Sequence, residues 1–141
     1  MTTIVYDGLS AAADKQLSYG NLVRTTTKLF RHGDNIIAYE GYYSDCAMIH
    51  DWILGGMVKD QYPKDIHENA RLYVFIKDKP TLVFNTHPTP TQVEDVPMCA
   101  GSGGDVALGA LAKGATAVEA VKIAARYDSA TGDEVDVFFL P

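Results

Sequence analysis

Apolar and polar positions alternate from the first residues. Residues 2–6 (TTIVY) and 9–13 (LSAAA) flank Asp7-Gly8, and a two-residue Asp-Gly loop between such runs predicts a hairpin with a type I′ turn. That turn would set Tyr6 against Leu9, Ile4 against Ala11 and Thr2 against Ala13, with Asp14 one step beyond Thr2 across the ladder. A polar stretch, KQLSYGN, leads to a second extended pair, LVRTTTKLF and IIAYEG, joined at HGDN. From Ser44 the period changes: Met48, Ile49, Trp52 and Ile53 recur at helical spacing, with Ser44 as N-cap, Asp45 in the first turn and an end near Gly55-Gly56 or Lys59.

The segment DQYPKDIHENA is broken by Pro63 and holds at most a short helix. RLYVFI and TLVFNT predict a hairpin across KDKP, followed by HPTPTQVEDVP as an irregular excursion near one edge. After MCAGSGG come two helices, near 105–113 and 117–127, the second opened by a capping box of Thr116 and Glu119. EVDVFFLP closes the chain as a strand. The order of strands, helix, strands, two helices and strand is α+β, with helices covering the outer faces of two antiparallel sheets.

A length of 141 residues, 47% of them hydrophobic, predicts one domain over 1–141 with one core. Eighteen acidic against twelve basic residues leave a net charge of −6, and the basic ones are scattered, which argues against nucleic acid as a partner. No basic n-region precedes an apolar run and no apolar run approaches a membrane span, so a soluble, cytoplasmic protein with no membrane contact is expected. Cys46 and Cys99 stand far apart and predict free thiols. His32, His50, His67 and His87 share no metal-ligand spacing, so no metal site is expected.

A free N-terminal threonine supplies nucleophile and base together: the hydroxyl attacks a carbonyl and the α-amine accepts the proton. A neighbouring ammonium raises the neutral fraction of that amine, and Lys28 in TTTKLF is the candidate, with Asp14 as its ion-pair partner. Taken singly these signals are weak, since many chains begin Met-Thr and strand lysines commonly face water. The GSGG at 101–104 reads equally as a flexible turn, a phosphate-cradling nest or a close approach that brings Ser102 to a helix N-terminus; Asp105 after the glycines disfavours phosphate.

The ordered set is more specific. TTIV at the N-terminus, AADKQLSYGNLV, the TK pair in the next strand, YEGYYSD before the first helix, AGSGG before the helix pair and ARYDSATGDEVDVFF at the end together resemble proteasome β-subunits and HslV-type proteases. The resemblance runs from residue 2 to about residue 139 and implies the four-layer α-β-β-α sandwich of the N-terminal-nucleophile (Ntn) hydrolases. It implies Thr2 as nucleophile, Asp14 and Lys28 as the pair that tunes it, and Gly41 as the backbone donor to the oxyanion. Ser102, Asp128 and Thr131 would form the polar network around the amine. Thr131 stands where the family usually has serine, Tyr42 is larger than the residue usual beside the oxyanion glycine, and the second helix of the first pair is reduced to the segment around Pro63.

The activity so implied is a threonine peptidase without cofactor, acting on peptides or unfolded proteins and assembled as a ring, with rings stacked in pairs, and with an ATP-dependent unfoldase as a further partner. Threonine is small enough for a methionine aminopeptidase to clear Met1, so no propeptide is expected. The alternatives are a non-catalytic homologue, as a ring-forming scaffold or regulator, and an amidase of small substrates. Retention of Met1 would leave the site unarmed.

Overall fold

Asp7 decides how the chain first turns. A computed structural model describes residues 2–141 and, Tyr19 excepted, their side chains. Strands β1 (Ile4–Tyr6) and β2 (Ser10–Asp14) pair antiparallel with Ile4 opposite Ala13, Val5 opposite Ala12 and Tyr6 opposite Ala11. The ladder is thus shifted by two residues from the expected one. The cause is the Asp7 carboxylate, which accepts the N–H of Leu9 at 2.9 Å and of Ser10 at 2.7 Å, while the Asp7 N–H donates to the Ser10 carbonyl at 3.1 Å. Asp7 therefore ends the strand, and the two-residue loop is Gly8-Leu9, with Gly8 at φ +94°, a conformation that glycine adopts without a Cβ clash. A shift of two preserves side-chain faces. It also brings Thr3 opposite Asp14, where the expected ladder set Thr2 against Ala13, and the Asp14 N–H donates to the Thr3 carbonyl at 3.3 Å.

The stretch KQLSYGN is not a bare connection. It contains β3 (Gln16–Tyr19), which pairs with β4 (Leu22–Thr25) in a two-stranded ribbon. The expected strand LVRTTTKLF is broken after Thr25, and Lys28 sits just before β5 (Leu29–His32), not mid-strand. A five-stranded antiparallel sheet follows in the order β5, β6 (Asn35–Glu40), β7 (Arg71–Phe75), β8 (Thr81–Phe84) and β9 (Thr91–Val93). The Pro-rich stretch thus supplies an edge strand. A four-stranded sheet has the order β10 (Met98–Ala100), β1, β2 and β11 (Val135–Phe139). Only three residues of β10 pair, too few to carry a visible alternation before the glycines.

Helix α1 (Tyr43–Leu54) begins one residue ahead of Ser44, and its N-cap Tyr42 makes no side-chain cap. The Asp45 carboxylate is instead used by the N–H of His67 at 2.7 Å, tying the segment around Pro63 to the helix. That segment contains one short 3₁₀ turn, Lys59–Gln61. Helices α2 (Gly104–Ala112) and α3 (Ala117–Tyr127) lie where expected, and the capping box of Thr116 and Glu119 is formed.

Alternation along the strands divides the apolar residues into three clusters. Ile37, Tyr39, Leu72, Val74 and Phe84 of the larger sheet pack with Cys46, Ile49, Trp52 and Ile53 of α1. Ile4, Tyr6, Ala11 and Ala13 meet Leu29, Ile36, Ala38, Tyr73 and Phe75 between the two sheets, where Tyr6 and Phe75 stack with ring centroids 4.5 Å apart. Val5 and Ala12 face α2 and α3 through Ala107, Ala117, Ala120, Val121 and Ala124; alanines let those helices approach closely. The fold is α+β, with antiparallel sheets and three α-helices. No helix among the described residues is long and apolar enough to cross a membrane.

Both cysteines are free. Burial pushes the Cys46 thiol up to about 12, against the opposing effect of the Glu40 and Arg71 carbonyls, and the Cys99 thiol up to about 11. Since the thiolate is the reactive form, only about one part in a thousand or less is available at pH 8. Iodoacetamide at pH 8 is expected to leave both thiols unmodified in the folded protein and to alkylate both in urea, as read by intact mass. Rapid alkylation of folded Cys46 would contradict its placement.

Candidate active site

The shifted first hairpin, the break before β5 and the glycines after β10 converge at one end of the two sheets. Asp14, the last residue of β2, is fully buried, and its carboxylate collects backbone donors from three segments: Thr3 at 3.0 Å, Gln16 at 3.2 Å and Gly132 at 3.0 Å. Those N–H groups fix the carboxylate before any side chain joins it. Lys28 then reaches in. Its Nζ lies 3.1 Å from Asp14 Oδ1 and donates to Thr2 Oγ1, whose hydroxyl is 3.4 Å from the same Asp14 oxygen.

All three side chains are buried, and burial lowers the Lys28 ammonium below its ordinary range, while the charge and hydrogen bond of Asp14, and the charge of Asp128, work the other way. The break that removes Lys28 from β5 does not loosen it, because its carbonyl accepts the Tyr39 N–H at 2.9 Å.

A second polar group stands on the other side of the first strand. Asp128, the C-cap of α3, accepts from Ser102 Oγ at 2.5 Å, Thr131 Oγ1 at 2.6 Å and the Ala130 N–H at 3.1 Å. Burial acts to raise its carboxyl, but those donors outweigh it and hold the group below the usual range. With the Thr131 hydrogen given to Asp128, Thr3 Oγ1 is the donor in its 2.7 Å contact with Thr131. Thr3 was not singled out in the sequence. Its role follows from the ladder, which sets it opposite Asp14.

The glycines serve close approach. A Cβ on Gly101 would lie 1.9 Å from the Thr2 carbonyl oxygen, and one on Gly103 would lie 2.1 Å from Thr3 Oγ1. Gly103 also donates its N–H to the Thr2 carbonyl at 3.4 Å. Gly41 follows β6 at φ +85°, and a Cβ there would lie 1.8 Å from the Asn69 carbonyl, so no other residue fits.

Thr2, Lys28, Gly41 and Ser102 line one cleft of about 560 Å³, and Asp14, Asp128 and Thr131 are bonded to Lys28, Ser102 and Thr3 respectively. All seven residues singled out in the sequence therefore lie at this end of the molecule. The cleft also takes Leu17 of the ribbon, Tyr39, Tyr42 and Tyr43, and the facing pair Glu40 and Arg71. Met1 lies outside the described residues. Among those described, no group of three or more His, Cys, Asp or Glu side chains could hold a metal ion.

Removing the Asp14 charge should be costly. Asp14→Asn strands the Lys28 ammonium in a buried site and turns amide hydrogens toward backbone donors, a loss of about 3–5 kcal/mol in urea unfolding. Adding Lys28→Met should restore part of it. A single-variant loss under about 1 kcal/mol would mean that the pair is not buried as described.

No protein-family model matches the chain, and no curated protein matches it. Solved structures do. The eukaryotic HslV of Trypanosoma brucei superposes with a TM-score of 0.66 at 20% identity, over 98% of this chain and 97% of that one. BPH of Thiobacillus denitrificans gives 0.69 at 21% identity, over 99% of this chain and 98% of that one. A structure of the same BPH in complex with epoxomicin gives 0.64 at 21% identity, with the same coverage. Over nearly its whole length, this chain has the fold of HslV and BPH.

Proposed function

We propose that the chain is a threonine peptidase of the Ntn hydrolase kind, built as one domain in a four-layer α-β-β-α sandwich. The layers are supported by the three apolar clusters, which join α1 to one sheet, that sheet to the next, and the second sheet to α2 and α3. The observation that carries the activity is the Lys28 ammonium donating to Thr2 Oγ1 in a buried group that opens on the cleft.

The mechanism requires Thr2 with a free α-amine. Thr2 Oγ1 attacks the peptide carbonyl carbon and its proton passes to the amine; the Lys28 charge favours the neutral amine before the step and the ionised oxygen during it. The tetrahedral oxyanion lies against the Gly41 N–H, on the residue that follows β6 and lines the cleft. As the carbonyl re-forms, the C–N bond breaks and the amine returns the proton to the leaving nitrogen. Water, deprotonated by the same amine, then cleaves the ester and restores the hydroxyl. On the other side Ser102 Oγ stands 3.5 Å from the Thr2 carbonyl and is tied to Asp128, which with Thr131 secures Thr3. BPH, which shares the fold, binds epoxomicin, and the Thr2 cleft is where this chain would take a ligand of that kind.

An open site of this sort endangers folded proteins around it, so we place it inside a closed ring of copies of this chain, fed with unfolded chains by an ATP-dependent partner in the cytoplasm.

Peptide hydrolysis by protein freed of Met1 tests this reading. Thr2→Ala should fold and be inactive, and Lys28→Ala should lower kcat/KM by roughly 10² to 10⁴ with an unchanged circular dichroism spectrum. Lys28→Arg should also lose heavily, because a guanidinium is not the compact ammonium the site encloses. Activity should rise with pH as the amine loses its proton, with a midpoint below the roughly 7.7 to 8.0 of an ordinary α-amine because the Lys28 charge disfavours the ammonium. Equal hydrolysis by protein retaining Met1, or Lys28→Ala within threefold of the parent, would overturn the mechanism, and no hydrolysis by folded, Met1-free protein would favour a non-catalytic scaffold.

A further inference from the structure

The cleft carries one ion pair that the peptidase mechanism does not use. Glu40 and Arg71 face each other across β6 and β7 and both line the cleft with Thr2. They are unequal partners. Glu40 is drawn inward, its Oε1 accepting the Tyr73 hydroxyl, and its side chain is 18% exposed. Arg71 is 44% exposed, and its nearest carboxylate contact is Nη1 to Glu40 Oε2 at 3.9 Å, outside hydrogen-bond distance. A planar guanidinium has five donors in a fork that matches a carboxylate. This one spends little of that capacity on the protein.

Arg71 is the exposed cation of the cleft, whereas Lys28 is buried against Asp14. On a chain of net charge −6, the charged side chains lining this cleft among the described residues are Lys28, Arg71 and Glu40, and the Asp14 that balances Lys28 is buried. Asn69 and Gln16 add amides to the same lining. We propose that Arg71 is a specificity determinant that binds a substrate carboxylate in the cleft beside Thr2. The carboxylate is that of an acidic side chain near the bond cut, or the α-carboxylate of a short peptide. The inference rests on the peptidase reading for its place beside a scissile bond, but the binding step stands by itself.

The test is therefore made on binding, with the Thr2→Ala protein and fluorescein-labelled hexapeptides, by fluorescence anisotropy. The probes are a peptide with one central glutamate and an amidated end, its glutamine counterpart, its lysine counterpart, and the glutamine peptide with a free carboxyl end. The glutamate peptide, or the free-acid glutamine peptide if the α-carboxylate is the group read, should bind at least about tenfold more tightly than the amidated glutamine peptide. Adding Arg71→Gln should abolish that ratio, Arg71→Lys should restore only part of it, and Glu40→Gln, which frees the guanidinium, should enlarge it. No preference for either carboxylate, or a preference that survives Arg71→Gln, overturns the proposal. Hydrolysis of the amidated glutamine peptide by the parent reports on the peptidase reading separately: an inactive parent whose Thr2→Ala form still binds glutamate through Arg71 would sink the peptidase and keep the anchor.

Discussion

The whole cleft end of this molecule depends on one buried carboxylate. Asp14 has no exposure, and a charge so placed is tolerable only when donors surround it. The chain meets that demand with backbone from the adjacent Gln16 and from the more distant Thr3 and Gly132, and with the Lys28 ammonium. Meeting it ties the first hairpin, the start of the β3–β4 ribbon, the approach to β5 and the loop before β11 into one cluster. Thr2 is held by the same requirement, because the ammonium that answers Asp14 also reaches its hydroxyl.

Close backbone contact completes the arrangement. The loop after β10 can lie against the Thr2 carbonyl only because Gly101 lacks a side chain, and the Asn69 carbonyl can cover the end of β6 only because Gly41 does. Asn69 is in turn held by the segment around Pro63, which is fastened to α1 through Asp45 and to β8 through Asn85, whose side-chain amide donates to the Glu68 and Ala70 carbonyls at 2.8 Å. A segment with almost no regular structure thus shapes one wall of the cleft.

Much of this was legible in the sequence, and the omissions have physical causes. Helices α2 and α3 were readable because the capping box and the run of alanines are local signals. The parity of the first hairpin was readable, since Ile4 and Tyr6 had to share a face with Ala11 and Ala13; its register was not, because the Asp7 side chain competes with the backbone for the turn and moves the loop by one residue. Strands β3, β9 and β10 were missed for a common reason: they are short, lie at sheet edges or in the exposed ribbon, and bury too little to impose alternation. Thr2, Lys28 and Asp14 came from the chemistry of an N-terminal threonine and the roles of Gly41, Ser102, Asp128 and Thr131 from the ordered resemblance, whereas Thr3 and Gly132 became visible only when the ladder and the Asp14 partners were known. Arg71 carried no motif at all. Its place in the cleft follows from a cross-strand pairing with Glu40 that no local pattern announces.

The central claim is that this cluster activates the hydroxyl of Thr2 above every other nucleophile in the chain. A peptidyl β-lactone, which acylates a nucleophile by ring opening, tests it directly when Met1-free protein is treated at pH 7.5 and the adduct is located by tandem mass spectrometry. One adduct per chain on Thr2, abolished by Lys28→Ala, is the predicted result. Folded, Met1-free protein that stays unmodified, or that is acylated elsewhere, would contradict the account.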